Sequence, residues 1–213
     1  PMSSVRGHSP AATLAEATSQ YPEVTPDVAG RYTITVTDEA GAVVTLSLYA
    51  GTWAGIIVGQ DENGRPVADQ MCRTCHGETV ALWAATGHAE IFKSNVNTPA
   101  ADSHYGAGCF ACHTVGYDPG AANGGVDEAT GYAEMMQQFF PDGHPATTTT
   151  TYDEMLAQYP AVVRLTNIQC ENCHGPQNSQ AHTQGEAFRS SLSSDMCAYC
   201  HGEPPRHGRF QQW

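Results

Sequence analysis

The stretch CENCHGPQNSQAH, residues 170–182, contains two cysteines separated by two residues, a histidine directly after the second cysteine, and a further histidine, His182. The order Cys-x-x-Cys-His occurs four times in the chain. The cysteine pairs are Cys72 and Cys75, Cys109 and Cys112, Cys170 and Cys173, and Cys197 and Cys200, and the histidines that follow them are His76, His113, His174 and His201. The four motifs use all eight cysteines, so one chemistry has to explain every thiol.

The histidine after each pair distinguishes the chemistries that are open to paired cysteines. Zinc sites built from Cys-x-x-Cys pairs do not need a histidine at this position, and a disulfide framework does not need one either. Redox-active pairs occur singly beside a βαβ pattern, which this sequence does not have. Attachment of a c-type haem does need this order, because both thiols bond to the porphyrin and the adjacent imidazole reaches the iron. The sequence therefore predicts four covalently attached c-type haems, with the eight cysteines as thioether ligands and the four motif histidines as proximal iron ligands.

Six histidines lie outside the motifs, enough to give each of four irons a second imidazole. We predict four distal ligands on the opposite haem faces, namely His88, His104, His182 and His207. His8, on an N-terminal arm, is a further candidate, which would bind the iron of a neighbouring subunit. We expect His182 to bind a different iron from His174, because reaching an adjacent haem is easier than wrapping around the edge of its own.

Local context separates these candidates from the other possible ligands. A short apolar, helix-like stretch from Val80 precedes His88 and should project it inward. His144 lies between turn-forming residues and is expected to be exposed. Four methionines are interpreted as packing residues rather than iron ligands: Met135, Met136, Met155 and Met196. Three arginines near the first and last motifs could pair with haem propionates or simply be solvated: Arg73, Arg206 and Arg209.

Composition excludes several classes of partner. The chain of 213 residues has a formal net charge of −13 and a single lysine, Lys93, which argues against nucleic acid binding. No apolar run approaches the length of a membrane span. The chain begins at Pro1, which predicts an exported protein whose signal peptide has been removed, unless the start is a cloning artefact. Large apolar residues are sparse outside residues 30–60, so we expect haem rather than side chains to fill the interior.

The sequence pattern predicts three segments. Residues 1–29 form an N-terminal arm with a single helical turn near residues 11–18. Residues 30–68 form a small antiparallel β meander with strands at 31–38, 42–50 and 52–59, and the Asn63-Gly64 pair is typical of a hairpin turn into the next strand. Residues 69–213 form the tetrahaem core, mostly irregular with short helices, including helices near residues 132–140 and 152–159.

Three short stretches carry a resemblance to a known family. CHTVGYDPG at residues 112–120, CENCHGP at 170–176 and TGHA at 86–89 resemble the cytochrome c-554 family of multihaem cytochromes, over about residues 70–207. A tetrahaem core that follows a small β segment and an arm is also similar to the tetrahaem subunits of extracellular cytochrome nanowires. This resemblance implies bis-histidine haems in a continuous chain, with one histidine lent across each subunit junction. Gln177 stands where family members commonly have glycine.

Two functional classes remain open. In the first, every iron is six-coordinate and the protein is an electron carrier, not an enzyme. In the second, one five-coordinate haem acts on a small nitrogen or sulfur species. We favour the carrier, because the spare histidines suffice for four irons. As a carrier it would be the repeating subunit of an extracellular filament, polymerised head to tail through His8 or His104, or else a periplasmic shuttle. Its partners would be redox proteins, or mineral and other extracellular acceptors.

Overall fold

The computed structural model describes residues 2–6, 13–15, 17–18, 23–97, 105–146, 151–177 and 195–202. Seven strands come first: β1 (Met2–Arg6), β2 (Thr13–Ala15), β3 (Glu23–Thr25), β4 (Gly30–Thr37), β5 (Val43–Ala50), β6 (Ile57–Gln60) and β7 (Pro66–Ala68). The helices follow: α1 (Gln70–Ala84), α2 (Ile91–Asn97), α3 (Phe110–His113), α4 (Tyr132–Phe139), α5 (Thr151–Gln158), α6 (Pro160–Val163), α7 (Cys170–His174) and α8 (Asp195–His201). Short 3₁₀ turns occupy Gly87–Ala89, Ala107–Cys109 and Val126–Glu128. The predicted fold class is confirmed. The chain has short helices in an irregular framework and small antiparallel sheets near the N-terminus.

The first predicted hairpin is confirmed, but its third strand comes from elsewhere. β4 pairs with β5 along its whole length, as the alternation of apolar and threonine residues predicts. The other neighbour of β4 is β1 from the N-terminal arm, in the order β1-β4-β5. Residues 52–59, expected as the third strand, contribute only β6, which belongs to a separate two-stranded sheet with β7.

The helical turn predicted near residues 11–18 is wrong. Thr13–Ala15 forms β2, which pairs antiparallel with β3. An isolated helical turn is unfavourable because it fixes several backbone dihedrals for one hydrogen bond. Pairing instead satisfies backbone groups on both segments, and the β-branched side chains in them suit a strand.

The second predicted hairpin, between β6 and β7, is confirmed. The Asp61 carboxylate accepts hydrogen bonds from the Asn63 and Arg65 backbone N–H groups at 2.9 and 2.8 Å. Gly64 has a φ of +74°, a left-handed conformation that glycine adopts without steric cost. The Asn-Gly pair therefore makes the turn that the sequence indicated.

The chain divides into two compact units. Unit 1 comprises the described parts of Pro1–Thr52 and His174–Ser190, and unit 2 those of Trp53–Cys173 and Ser191–Trp213. The predicted boundaries at residues 29/30 and 68/69 stay predictions. None of the helices in the described ranges has the length and apolarity that a membrane crossing requires.

Unit 2 has a side-chain core, contrary to the expectation that haem alone would fill the interior. Phe92 is completely buried, and its ring packs edge-on against Tyr105, Phe110 and Tyr152 at centroid distances of 6.1, 5.4 and 6.3 Å. The core draws on residues scattered from Ile56 to Leu165, which is why local composition did not reveal it. α4 and α5 confirm the two predicted helices. Met135 and Met155 are fully buried, as packing residues should be.

Candidate haem-attachment site

All four Cys-x-x-Cys-His motifs lie on helical turns. The third occupies α7 from end to end, the fourth ends α8, and the second spans a 3₁₀ turn and α3. The first lies near the start of α1, where the backbone kinks at His76 before the helix resumes. Residues three and four apart share one face of a helix. Each turn therefore presents both thiols and the histidine on one side, as attachment to a single macrocycle requires.

The helix that carries the first motif is fixed at its N-terminus. Asp69 caps α1 by accepting a hydrogen bond from Met71 N–H at 2.8 Å, and its other oxygen forms a 3.0 Å ion pair with Arg164. The hydrogen bond from Met71 N–H is the main cause that holds the pKa of Asp69 below its ordinary value, and the hydrogen bond from the Arg164 guanidinium is the next. Arg73, a candidate propionate partner, donates to Gln70 Oε1 at 2.8 Å. Arg164 thus connects the start of α1 to the segment that precedes the third motif.

We call residues 164–172 the hub segment, because it also contacts the second motif. Thr166 forms a β-bridge with Thr114, the residue directly after His113. Val115 N–H donates to Leu165 O at 2.8 Å. From between the two cysteines of the third motif, Asn172 Nδ2 donates to Thr114 O at 2.8 Å. The end of the second motif is therefore held directly by the third.

The hub segment also holds the far end of α1. Trp83 Nε1 donates to Ile168 O at 2.8 Å, and Ile168 N–H donates to His88 O at 3.0 Å. Residues that flank the first and second motifs, and the turn that carries His88, are thus all hydrogen-bonded to one nine-residue segment, residues 164–172, which includes the start of the third motif. Hydrogen bonds rather than loop length set their spacing.

Two buried polar side chains anchor the hub segment. Glu171 is 1% exposed and accepts hydrogen bonds from Ala54 N–H at 3.1 Å and Gly55 N–H at 2.8 Å. Gln169 accepts from Ile56 N–H and donates to Arg164 O and Thr166 O, each at 2.8 Å. Sequence reasoning missed both residues. The attachment chemistry does not constrain the residues between the cysteines, and the partners of Glu171 lie 116 and 117 positions earlier.

Thiols of different motifs lie next to one another. The Cys200 thiol is hydrogen-bonded to Cys112, and burial, with Cys112 contributing, raises the pKa of Cys200 to about 12. Burial also raises the pKa of Cys170 and that of Cys173, with smaller contributions from the charges of Cys72 and Cys197 respectively. No two of the eight cysteines form a disulfide. All eight belong to unit 2, so the attachment points of the four motifs converge there.

The described histidines outside the motifs behave differently from each other. His88 is exposed, so the prediction that it projects inward is wrong. Its 3₁₀ turn buries Ala89 instead and leaves the imidazole on the outer side, where its centroid lies 6.2 Å from that of His201. Partial desolvation, and then the neighbouring His201, lower the pKa of His88. His144 is exposed in a turn, as predicted, with its Nδ1 2.8 Å from Tyr105 O.

The remaining candidates fall outside the described residues. These are the predicted ligands His8, His104, His182 and His207, together with Arg206 and Arg209. Their roles, including the binding of His182 to a different iron from His174, stay predictions. Within the described residues, His113 is half-buried, with its ring centroid 5.3 Å from that of Tyr105.

Apolar side chains beside the motifs are unusually open to solvent. Met71, Leu82 and Tyr199 are 76%, 74% and 71% exposed. Met71 precedes Cys72, Leu82 lies on α1, and Tyr199 stands between the two cysteines of the fourth motif. Large apolar side chains at such sites suit an apolar plate that covers them. Motif geometry and this surface both fit covalently attached haem.

Comparison with protein families gives the same result. Residues 71–137 match the family model of cytochrome c554 and c-prime, a span that includes the first and second motifs. The match covers about a third of the chain and supports a c-type cytochrome family for this part of it. Comparisons with curated proteins and with solved structures each gave no match. Membership of such a family implies covalently bound c-type haem, and electron transfer is the function that the match supports.

Proposed function

We propose that this cytochrome holds four c-type haems, each with two histidines on its iron, and passes electrons between them. The observation that carries the proposal is that all eight cysteines of the four helical Cys-x-x-Cys-His motifs lie in one unit, with the Cys200 thiol hydrogen-bonded to Cys112 of another motif. Haem supplies the redox chemistry, while the protein sets the distance between haems and the potential of each one. A carrier of this kind needs attachment points held at fixed, short separations.

The roles proposed for the residues are those that the sequence predicts. The eight cysteines would form the thioether bonds, and His76, His113, His174 and His201 would be the proximal ligands. The distal ligands would be His88, His104, His182 and His207. Residues 164–172 hold three of the motifs together through backbone and side-chain hydrogen bonds. If two histidines held every iron, no position on an iron would remain for a substrate, which favours an electron carrier over an enzyme.

Haem content and spin state test this part of the proposal. The purified protein should yield four haems per chain by pyridine haemochrome absorbance and by the mass of the denatured chain. Its ferric electron paramagnetic resonance spectrum should be entirely low-spin, and the reduced protein should not bind carbon monoxide. Fewer than four haems would overturn the count. A high-spin signal with carbon monoxide binding would favour an enzyme with one open haem.

The proposal extends to assembly as the repeating subunit of an extracellular filament. His8 would bind an iron of the next copy, and a head-to-tail contact that does not close propagates into a filament. Apolar side chains on β5 are open to solvent, including Val43, Val44 and Leu46 at 60%, 67% and 58% exposure. Exposed apolar surface of this kind favours contact with a second copy of the chain. Neighbouring redox proteins or extracellular minerals would then accept the electrons.

Particle size distinguishes the filament from a periplasmic shuttle. Negative-stain images of the purified protein and of culture supernatant should show filaments, and His8→Ala should shorten them or abolish them. His144→Ala is the matched control, because His144 is exposed and lies outside the proposed ligand set. Particles of monomer mass across a wide concentration range, found in the periplasmic fraction, would refute the filament and support the shuttle.

A further inference from the structure

We infer that His88 is the second axial ligand of the iron held by the fourth motif, opposite His201. This inference rests on the proposed function, which gives every iron two imidazoles, and it adds which histidine serves which iron. His88 follows the first motif along the chain, so the pairing would join the first and fourth motifs through one metal centre.

The separation of the two rings carries the inference. A metal–imidazole bond is about 2.0 Å long and a ring nitrogen lies about 1.2 Å from the ring centroid, so two imidazoles across one metal have centroids about 6.4 Å apart. The observed separation of His88 and His201 is 6.2 Å. Axial imidazoles can rotate about their bonds to the metal, so the interplanar angle of 41° is compatible with this arrangement.

Direct contact between the rings explains the geometry less well. An N–H···N hydrogen bond of about 2.9 Å between two imidazoles would bring the centroids to about 5.3 Å. The separation of His88 and His201 therefore matches a shared metal better than a direct hydrogen bond.

The backbone around His88 is firmly held, as a ligand position should be. His88 O accepts from Ile168 N–H at 3.0 Å, and Trp83 Nε1 holds the carbonyl of the same residue, Ile168. Ala89 is 1% exposed and fixes the turn against the core. Because Ala89 takes the inward direction, the His88 imidazole points outward, on the side where His201 lies.

The pairing also constrains the other irons. If His88 serves the fourth motif, it is not available to the iron of His76, even though the first motif is the closest to it in sequence. The irons of the first three motifs must then draw on His104, His182, His207 and His8. Fixing His88 to the fourth motif thus removes every assignment in which His88 binds one of the other three irons.

The first experiment compares His88→Ala with the wild type and with His144→Ala, all as haem-loaded protein. His88→Ala should keep four attached haems, gain one high-spin ferric signal and bind one carbon monoxide per chain when reduced. His144→Ala should remain like the wild type. An entirely low-spin His88→Ala would overturn the inference. A high-spin signal in the wild type would instead overturn the proposed function; the inference would then require His88→Ala to add a further high-spin haem, and no addition would overturn it.

A second experiment identifies the iron. His88→Ala is combined with Cys197→Ala and Cys200→Ala, which remove the fourth haem, or with Cys72→Ala and Cys75→Ala, which remove the first. The high-spin signal should vanish in the first combination and persist in the second; the opposite result would refute the pairing. If these variants do not accumulate, His88→Met keeps a ligand but should raise the potential of one haem. Unchanged potentials would then contradict the inference.

Discussion

Replacing Glu171 should loosen the third motif more than any other single change of a charged side chain in its vicinity. The carboxylate is 1% exposed and accepts hydrogen bonds from Gly55 N–H at 2.8 Å and Ala54 N–H at 3.1 Å. In Glu171→Ala both donors lose this acceptor. A buried donor left unsatisfied costs about 1–3 kcal/mol. Gly55 is buried, whereas Ala54 is partly open to water, so we expect a loss of about 3–4 kcal/mol in the free energy of unfolding.

Glu171→Gln separates the role of charge from that of shape. The amide keeps one oxygen acceptor but turns an NH₂ group toward the second backbone donor, so it should cost about half as much as the alanine variant. Glu39→Ala is the matched control, because Glu39 lies exposed in the turn between β4 and β5 and its loss should change stability by less than about 0.5 kcal/mol.

Guanidinium unfolding of the haem-loaded variants, followed by far-ultraviolet circular dichroism, measures these differences. The expected order of stability is wild type and Glu39→Ala together, then Glu171→Gln, then Glu171→Ala. If Glu171→Ala unfolds with the same free energy as Glu39→Ala, the buried carboxylate does not hold residues 54–55 to the third motif. If Glu171→Gln has the same free energy of unfolding as the wild type, the negative charge of Glu171 contributes nothing to stability.

Three further changes test the surrounding structure by the same unfolding measurement. Asp69→Ala should cost about 1–2 kcal/mol by removing the cap of α1, whereas Asp69→Asn should keep the cap. Because the pKa of Asp69 is lowered on folding, its contribution is complete above the ordinary value of 3.8 and is lost as the pH falls through the lower folded-state pKa. Asp69→Asn should therefore flatten the acid limb of the stability profile, and an unchanged limb would contradict this. Phe92→Ala should cost about 3–5 kcal/mol by opening a cavity among buried rings, and a loss below about 1 kcal/mol would mean that they repack. Gly55→Ala should cost more than about 2 kcal/mol, because Gly55 has a φ of +60° and its new Cβ would lie 2.5 Å from the Arg164 carbonyl oxygen; wild-type stability would show that this backbone can shift.

Features encoded within a few residues were predictable. The turn between β6 and β7 follows from Asn63-Gly64, since glycine accepts the left-handed conformation that the turn needs. α4 and α5 follow from apolar residues at helical spacing, which also placed Met135 and Met155 in the core. The helical turns of the four motifs are local in the same way, because two thiols and an imidazole fit into five consecutive residues.

Features that join distant residues were not predictable in the same way. β1 completes the sheet beside β4, although its own composition indicated only an extended arm. His88 was identified as a ligand candidate, but its outward direction depends on Ala89 taking the inward position. Glu171 looks like an ordinary solvent-exposed carboxylate in sequence, and only residues 54–55 make it a buried acceptor.

The sequence by itself determined the chemical groups that this chain offers, namely thiols and imidazoles in the order that suits haem attachment. The tertiary structure decided which of those groups are neighbours: Cys112 is hydrogen-bonded to Cys200, and His88 lies across from His201. The physical reason is that bonding within a motif depends on local backbone geometry. Contact between motifs depends on segments that are distant in sequence. Those segments meet where their buried polar groups can hydrogen-bond and their apolar surfaces can pack.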